Sequence, residues 1–221
     1  MKSKIFKNKK LSWLMYWPTR IVIAALVVIS TGCNDDDSVP SINEDFMSEM
    51  EAARVKMMED MNAVPMTMDP DVDFAKMMLP HHQGAIDMAT IVLEYGEHED
   101  LLMLAEQTIE GNEASQARLN EFLEAHGEPV PQEGTGFMEE MDIAMMIMDE
   151  VMQAMHYTSD PDYDFGEMMI HHHQSAIDMS KIELKYGVDE MARMEAQMII
   201  DEQQTEIIEL AQFRNEHGQP E

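Results

Sequence analysis

The 221-residue chain has one cysteine, so it can close no disulfide of its own, and it has only 14 lysines and arginines against 44 aspartates and glutamates. With basic residues so scarce, a phosphate backbone would be repelled, which excludes nucleic acid as a partner. No alternation of apolar and polar residues with period two occurs, so helices are the regular structure the pattern supports. Nucleophile arrangements, phosphate loops and dinucleotide turns are missing as well, and no catalytic set can be named. None of the nine histidines has glutamate three residues before it, whereas di-iron bundles build their centres from that Glu-x-x-His pair. What the chain has in excess is methionine, 26 residues. Leucine, isoleucine and valine fill bundle cores with better-defined rotamers, so packing alone gives no reason for so many thioethers.

Residues 1–33 read as an export signal. Lys2, Lys4, Lys7, Lys9, Lys10 and Arg20 make a basic start, and the apolar stretch at 21–29 is too short to span a bilayer. Ser30, Thr31, Gly32 and Cys33 then resemble a bacterial lipobox, in which the signal is cut before Cys33 and that cysteine is acylated. Two acyl chains give stable anchoring. The expectation is a lipoprotein of the bacterial cell envelope, membrane-anchored and facing the periplasm or the exterior. Residues 34–43, acidic and carrying Pro40, read as a tether. Without the first 33 residues, eight basic side chains stand against 44 acidic ones, a net charge of −36. Such a field gathers cations, although a merely solvated surface would carry the same charge. Residues 44–221 are long enough for one domain.

Within that domain a block occurs twice. Residues 69–88 return as 160–179, shifted by 91 positions without a gap. The register extends to Phe46 and Met50 on Phe137 and Met141, to Tyr95-Gly96 on Tyr186-Gly187, and to His126-Gly127 on His217-Gly218. The copies are 46–129 and 137–220. In each, a first helix carries an apolar stripe; in the second copy it is Met138, Met141, Met145, Met148, Met152 and Met155, read as packing. Asp-Pro-Asp starts the second helix, since Asp caps exposed amides and Pro suits the first turn. That helix ends at Gly96 or Gly187, where glycine can turn left-handed. The third runs over about 99–126 and 189–217. The predicted fold is all-α, a helical bundle of two tandem copies of a three-helix unit about a pseudo-twofold axis, neither half self-sufficient.

The second helices carry the chemistry. Residues four apart share a helix face, so Met77 with His81, Met78 with His82, Met168 with His172 and Met169 with His173 are each placed to share one ion. Thioether sulfur is soft and selects Cu(I), and imidazole suits copper too. Adjacent histidines point about 100° apart, so one of each pair faces the interior and the other a neighbouring helix. His171 extends the second cluster where the first has Pro80, so the two sites need not match. Asn112, Gln116, Gln203 and Gln204 are polar residues placed to line the interior and bond the histidines. Asp87 and Asp178 read as exposed, or as orienting a facing histidine. His126 and His217 read as caps at the negative ends of their helices.

The runs from His81 to Ala89 and from His172 to Ser180, each preceded by Asp-x-Asp-Phe and Met-Met, resemble the family called domain of unknown function three-hundred-and-five, with its CopM-type copper-binding members. The likeness covers about residues 44–220. It implies a ferritin-like helical bundle, export, and copper tolerance through His81, His82, His172, His173, Met77, Met78, Met88, Met168, Met169 and Met179. The function so implied is capture of Cu(I), with Ag(I) and Cu(II) as alternatives, for buffering or for transfer to a copper-transfer protein, and no catalysis. Thioethers suit an oxidising compartment, where cysteine ligands are lost to disulfides. The alternatives are a ferritin-like metal-dependent oxidase and a metal-free interaction module.

Overall fold

The computed structural model describes residues 43–218; the expected signal, Cys33 and nearly all of the tether lie outside the described residues. Six helices and no strand occur among the described residues: α1 Glu44–Asn62, α2 Pro70–Tyr95, α3 Glu99–His126, α4 Phe137–Gln153, α5 Pro161–Tyr186 and α6 Glu190–His217. Their starts are chemically marked. Asp69 accepts from the amides of Asp71 (3.1 Å) and Val72 (3.4 Å) with Pro70 in the first turn, and Asp160 does the same for Asp162 (3.0 Å) and Tyr163 (3.2 Å). Asn43 caps α1 through the Phe46 amide, and Asp189 caps α6 through the Met191 amide.

The two longest pairs of helices match in length, 26 residues for α2 and α5 and 28 for α3 and α6. α2 packs on α1, α3 and α5, α5 packs on α4 and α6 as well, and α3 lies against α6. The methionine stripe of α4 turns inward, with Met141, Met145, Met148 and Met152 buried; α1 buries Phe46, Met50, Met57 and Met61. Burial of each such side chain is worth roughly 1.5–3 kcal/mol. Arg54 is buried among them and is paired with Glu51 and Asp149.

The ends of α2 and α5 differ from expectation. Gly96 and Gly187 are extended, with φ −73° and −67°, and do not turn left-handed. Glycine stands there because a carboxylate lies over it: a Cβ on Gly96 would meet Asp162, and one on Gly187 would meet Glu183 and Asp71. Asp162 accepts from the amides of Glu97 (2.8 Å) and His98 (3.3 Å), ahead of α3, and Asp71 accepts from those of Val188 (2.9 Å) and Asp189 (2.8 Å), ahead of α6. Each second helix thus caps the approach to the other copy's third helix. Gly127 and Gly218 do take positive φ, 82° and 74°.

Candidate metal centre

The four histidines His81, His82, His172 and His173 are all fully buried. His81 and His172 meet where α2 crosses α5, ring centroids 3.9 Å apart and planes tilted by 43°. His82 turns to α3, its Nε2 2.8 Å from Ser115 Oγ, and His173 turns to α6, its Nε2 2.8 Å from Glu206 Oε2. One histidine of each pair faces its counterpart and the other faces a third helix, the division that a 100° step along a helix dictates.

The hydrogen bonds fix which nitrogen carries the proton. The Ser115 hydroxyl donates to Glu195 Oε1 (2.6 Å), so its oxygen must accept from His82 Nε2–H. Ser175 Oγ spends its single proton on the His172 carbonyl (2.8 Å) or on Met148 Sδ (2.8 Å), both acceptors, so it takes the His81 Nε2–H at 2.7 Å. His172 Nε2 donates to the His81 carbonyl at 3.1 Å. His173 Nε2 lies beside a carboxylate that can only accept when ionised; the contact is off the line of a hydrogen bond, and its attraction is electrostatic. The proton therefore sits on Nε2 in His81, His82 and His172. All four Nδ1 atoms are buried with no partner, and on those three rings they are lone pairs; on His173 neither ring nitrogen makes a hydrogen bond. An orphaned acceptor costs about 1–3 kcal/mol, and here there are at least three.

Burial, followed by the neighbouring histidines, holds His81 and His172 well below the usual imidazole range and takes His82 down to about 3. These rings are neutral at pH 7, the state in which imidazole binds a metal. The methionines four residues before them, Met77, Met78, Met168 and Met169, are buried, as are Met88 and Met179. Residues four apart share a helix face, so Met77, Met78, Met168 and Met169 each stand on the face of the histidine that follows. No three His, Cys, Asp or Glu side chains converge on one point among the described residues. Sulfur is the further donor type buried on the same helix faces as the histidines.

The pairing partners were mostly missed in the sequence. Gln204 is exposed, Gln116 bonds the Leu79 carbonyl (3.1 Å), and Asn112 bonds the Thr108 carbonyl (2.7 Å), so these do not bond the histidines. Gln203 is buried with its Oε1 unpartnered. Ser115, Glu206 and Ser175 take that role. His171 does not join the cluster; it is 34% exposed and pairs with Glu167 (3.2 Å). Asp87 and Asp178 bond Gln83 (2.8 Å) and Gln174 (3.1 Å) and orient no histidine. His126 is no C-terminal cap, because its Nε2 lies 3.0 Å from Asp69 and its Nδ1 3.4 Å from Asp189. His217 does bond a last-turn carbonyl, that of Phe213, at 2.8 Å.

No helix among the described residues is long and apolar enough to cross a membrane. No curated protein matches the chain. Two solved structures share its fold: a DUF305 fragment from Deinococcus radiodurans (22% identity, TM-score 0.51, 69% of this chain and 99% of that one) and a DUF305 protein from Streptomyces coelicolor described as secreted (21%, 0.54, 70% and 98%). The family model for a domain of unknown function, DUF305, matches residues 71–214, and the chain belongs to that family.

Proposed function

We propose that this protein is a CopM-type copper-binding protein of the cell envelope, lipidated at Cys33, which captures Cu(I) for buffering, tolerance or transfer and catalyses no reaction. Ag(I) is a second cargo of the same softness. The observation that carries this reading is the set of four buried, unpartnered Nδ1 atoms, three of them lone pairs on imidazoles whose other nitrogen is already committed and the fourth on His173, whose Nε2 lies beside Glu206. Metal-binding histidines are arranged in this way, the second ring nitrogen donating to a hydroxyl, carbonyl or carboxylate that fixes the ring. Buried thioethers on the same helix faces complete a soft donor set. A hard-ion oxidase would instead call for carboxylates among the ligands. The matched helix lengths and the reciprocal Asp71 and Asp162 caps support a ferritin-like arrangement of two repeats.

A Cu(I) competition titration under anaerobic conditions tests it. The protein is expected to retain Cu(I) against a chelator that strips zinc, and Leu at positions 77, 78, 168 and 169 is expected to lower the Cu(I) affinity. Those replacements conserve volume and cost under about 1.5 kcal/mol each, so the fold survives. Equal affinity for Cu(I) and Zn(II), or Cu(I) binding untouched by loss of all four thioethers, would overturn the reading.

A further inference from the structure

All four histidines are sealed from solvent, so an ion that reaches them has to cross the bundle wall. Between α4 and α5 the wall holds a groove of about 80 Å³, large enough for an ion with a water or two. Its rim is open and of mixed character, with Ile147 53% and Val151 37% exposed opposite Gln174 and Asp178. Two metal-binding side chains face it: His171, partly exposed at the mouth, and Met148, which is buried at its base. The floor is Ser175. Ser175 Oγ is 2.8 Å from Met148 Sδ on one side and 2.7 Å from His81 Nε2 on the other. His171, Met148 and Ser175 thus line one groove open to solvent, and Ser175 leads on to His81 with His172 against it. The equivalent positions of the first half are filled differently. Positions 84, 80 and 57 of the first half correspond to 175, 171 and 148, and hold Gly84, Pro80 and Met57, with Met57 packed directly against Gly84.

We propose that the α4–α5 groove is the port through which a soft monovalent cation, Cu(I) or Ag(I), enters and leaves, bound in transit by Met148 and His171 and handed over Ser175 to His81. This rests on the capture reading above and adds to it a direction, with loading from the second half. The ion exchanges one neutral donor for the next, imidazole for thioether for imidazole, with no change of oxidation state; the His81 ring turns so that its free Nδ1 replaces its Nε2–H on the Ser175 side, and no proton is released.

A residue on a path changes the rates of entering and leaving by the same factor, whereas a residue of the final site changes their ratio. Stopped-flow uptake of Ag(I) by the full chain, and its release to a chelator, separates the two. Ala144→Phe, which fills the groove from its wall, is expected to slow uptake and release together by roughly tenfold or more. The double variant Met148→Leu with His171→Ala is expected to do likewise. Unchanged rates in both variants, or slowed release without slowed uptake, would overturn the port. If Ala144→Phe fails to fold, the double variant gives the same reading, since Leu conserves the Met148 volume and His171 is at the surface. A parent protein that takes up no Ag(I) and no Cu(I) overturns the capture reading and the port with it; a parent that loads, with variants that load equally fast, overturns the port alone.

Discussion

At the scale of single residues, the two halves hold equivalent histidines with inequivalent partners. Ser115 and Glu206 occupy the same place in the 91-residue register, yet His82 faces a hydroxyl and His173 a carboxylate. The hydroxyl is backed by Glu195, itself held by Arg118 at 2.5 Å, so negative charge reaches His82 at one remove and His173 directly. A carboxylate behind an imidazole raises its basicity and strengthens its bond to a metal. Two Cu(I) ions should therefore bind with unlike affinities. Glu206→Gln is expected to weaken one binding step by about 10–100-fold, and Ser115→Ala the other. A titration in which Glu206→Gln leaves both steps in place would refute this. The histidines themselves were legible, because a duplicated His-His behind Met-Met stands out. Their partners were legible only in part. Leu101, Ala105, Thr108, Asn112, Ser115, Leu119 and Phe122 make the buried stripe of α3, and polar side chains inside such a stripe mark a polar target on the helix opposite. Ser175 carried no comparable signal, since its partner is 94 residues away on α2.

At the scale of elements, the boundaries followed local chemistry and were readable: Asp-Pro-Asp gave the starts of α2 and α5 within a residue. The reason for the glycines that end those helices was not local. A turn argument needs only the neighbouring residues, whereas Gly187 answers to Asp71, 117 residues from the amide of Val188 that it caps. The two kinds of glycine should respond differently to substitution. Gly187→Ala drives a methyl group into the Asp71 and Glu183 carboxyls, an overpacking that costs about 1–3 kcal/mol and loosens α6. Gly127→Ala meets open space but a backbone, φ 82° and ψ −139°, that side chains disfavour, which costs about 1–3 kcal/mol and leaves α2 and α5 untouched. Urea denaturation gives the two totals. Hydrogen exchange at Val188 and Asp189 separates the mechanisms, with faster exchange expected in Gly187→Ala alone. Equal exchange in both variants would show that the Asp71 cap does not hold α6.

Across the whole molecule, buried titratable groups set opposing slopes of stability with pH. His81, His82 and His172 are neutral in the fold and charge readily once unfolded. Below pH 6.5 the unfolded chain therefore binds more protons than the folded one, and stability falls as the pH drops. The Glu183 carboxyl, buried and beside Asp71, is pushed up to about 9, and Asp164 is raised by burial to about 6. For these the folded form holds the extra proton, so stability falls as the pH rises above their ordinary values of 4.5 and 3.8. His126 acts in the same direction: burial opposes its charge, but Asp69 and Asp189 outweigh that and lift it above 6.5. Between pH 4.5 and 6.5 the three histidines outweigh Glu183, Asp164 and the lesser rises that burial gives Asp162 and Glu202, and stability climbs. Above 6.5 the histidines no longer contribute, Glu183 and His126 remain, and stability declines. The maximum is therefore expected near pH 6.5, with an alkaline slope of at most about 1.4 kcal/mol per pH unit for each proton involved. Glu183→Gln removes one of those protons while keeping the shape of the side chain. Its denaturation midpoints should climb more steeply than those of the parent between pH 4.5 and 6.5 and decline less steeply between pH 6.5 and 8.5, the difference growing with pH. Parallel alkaline limbs for the two proteins would mean that Glu183 is ionised in the folded bundle, with Arg193, rather than a shared proton, balancing its charge.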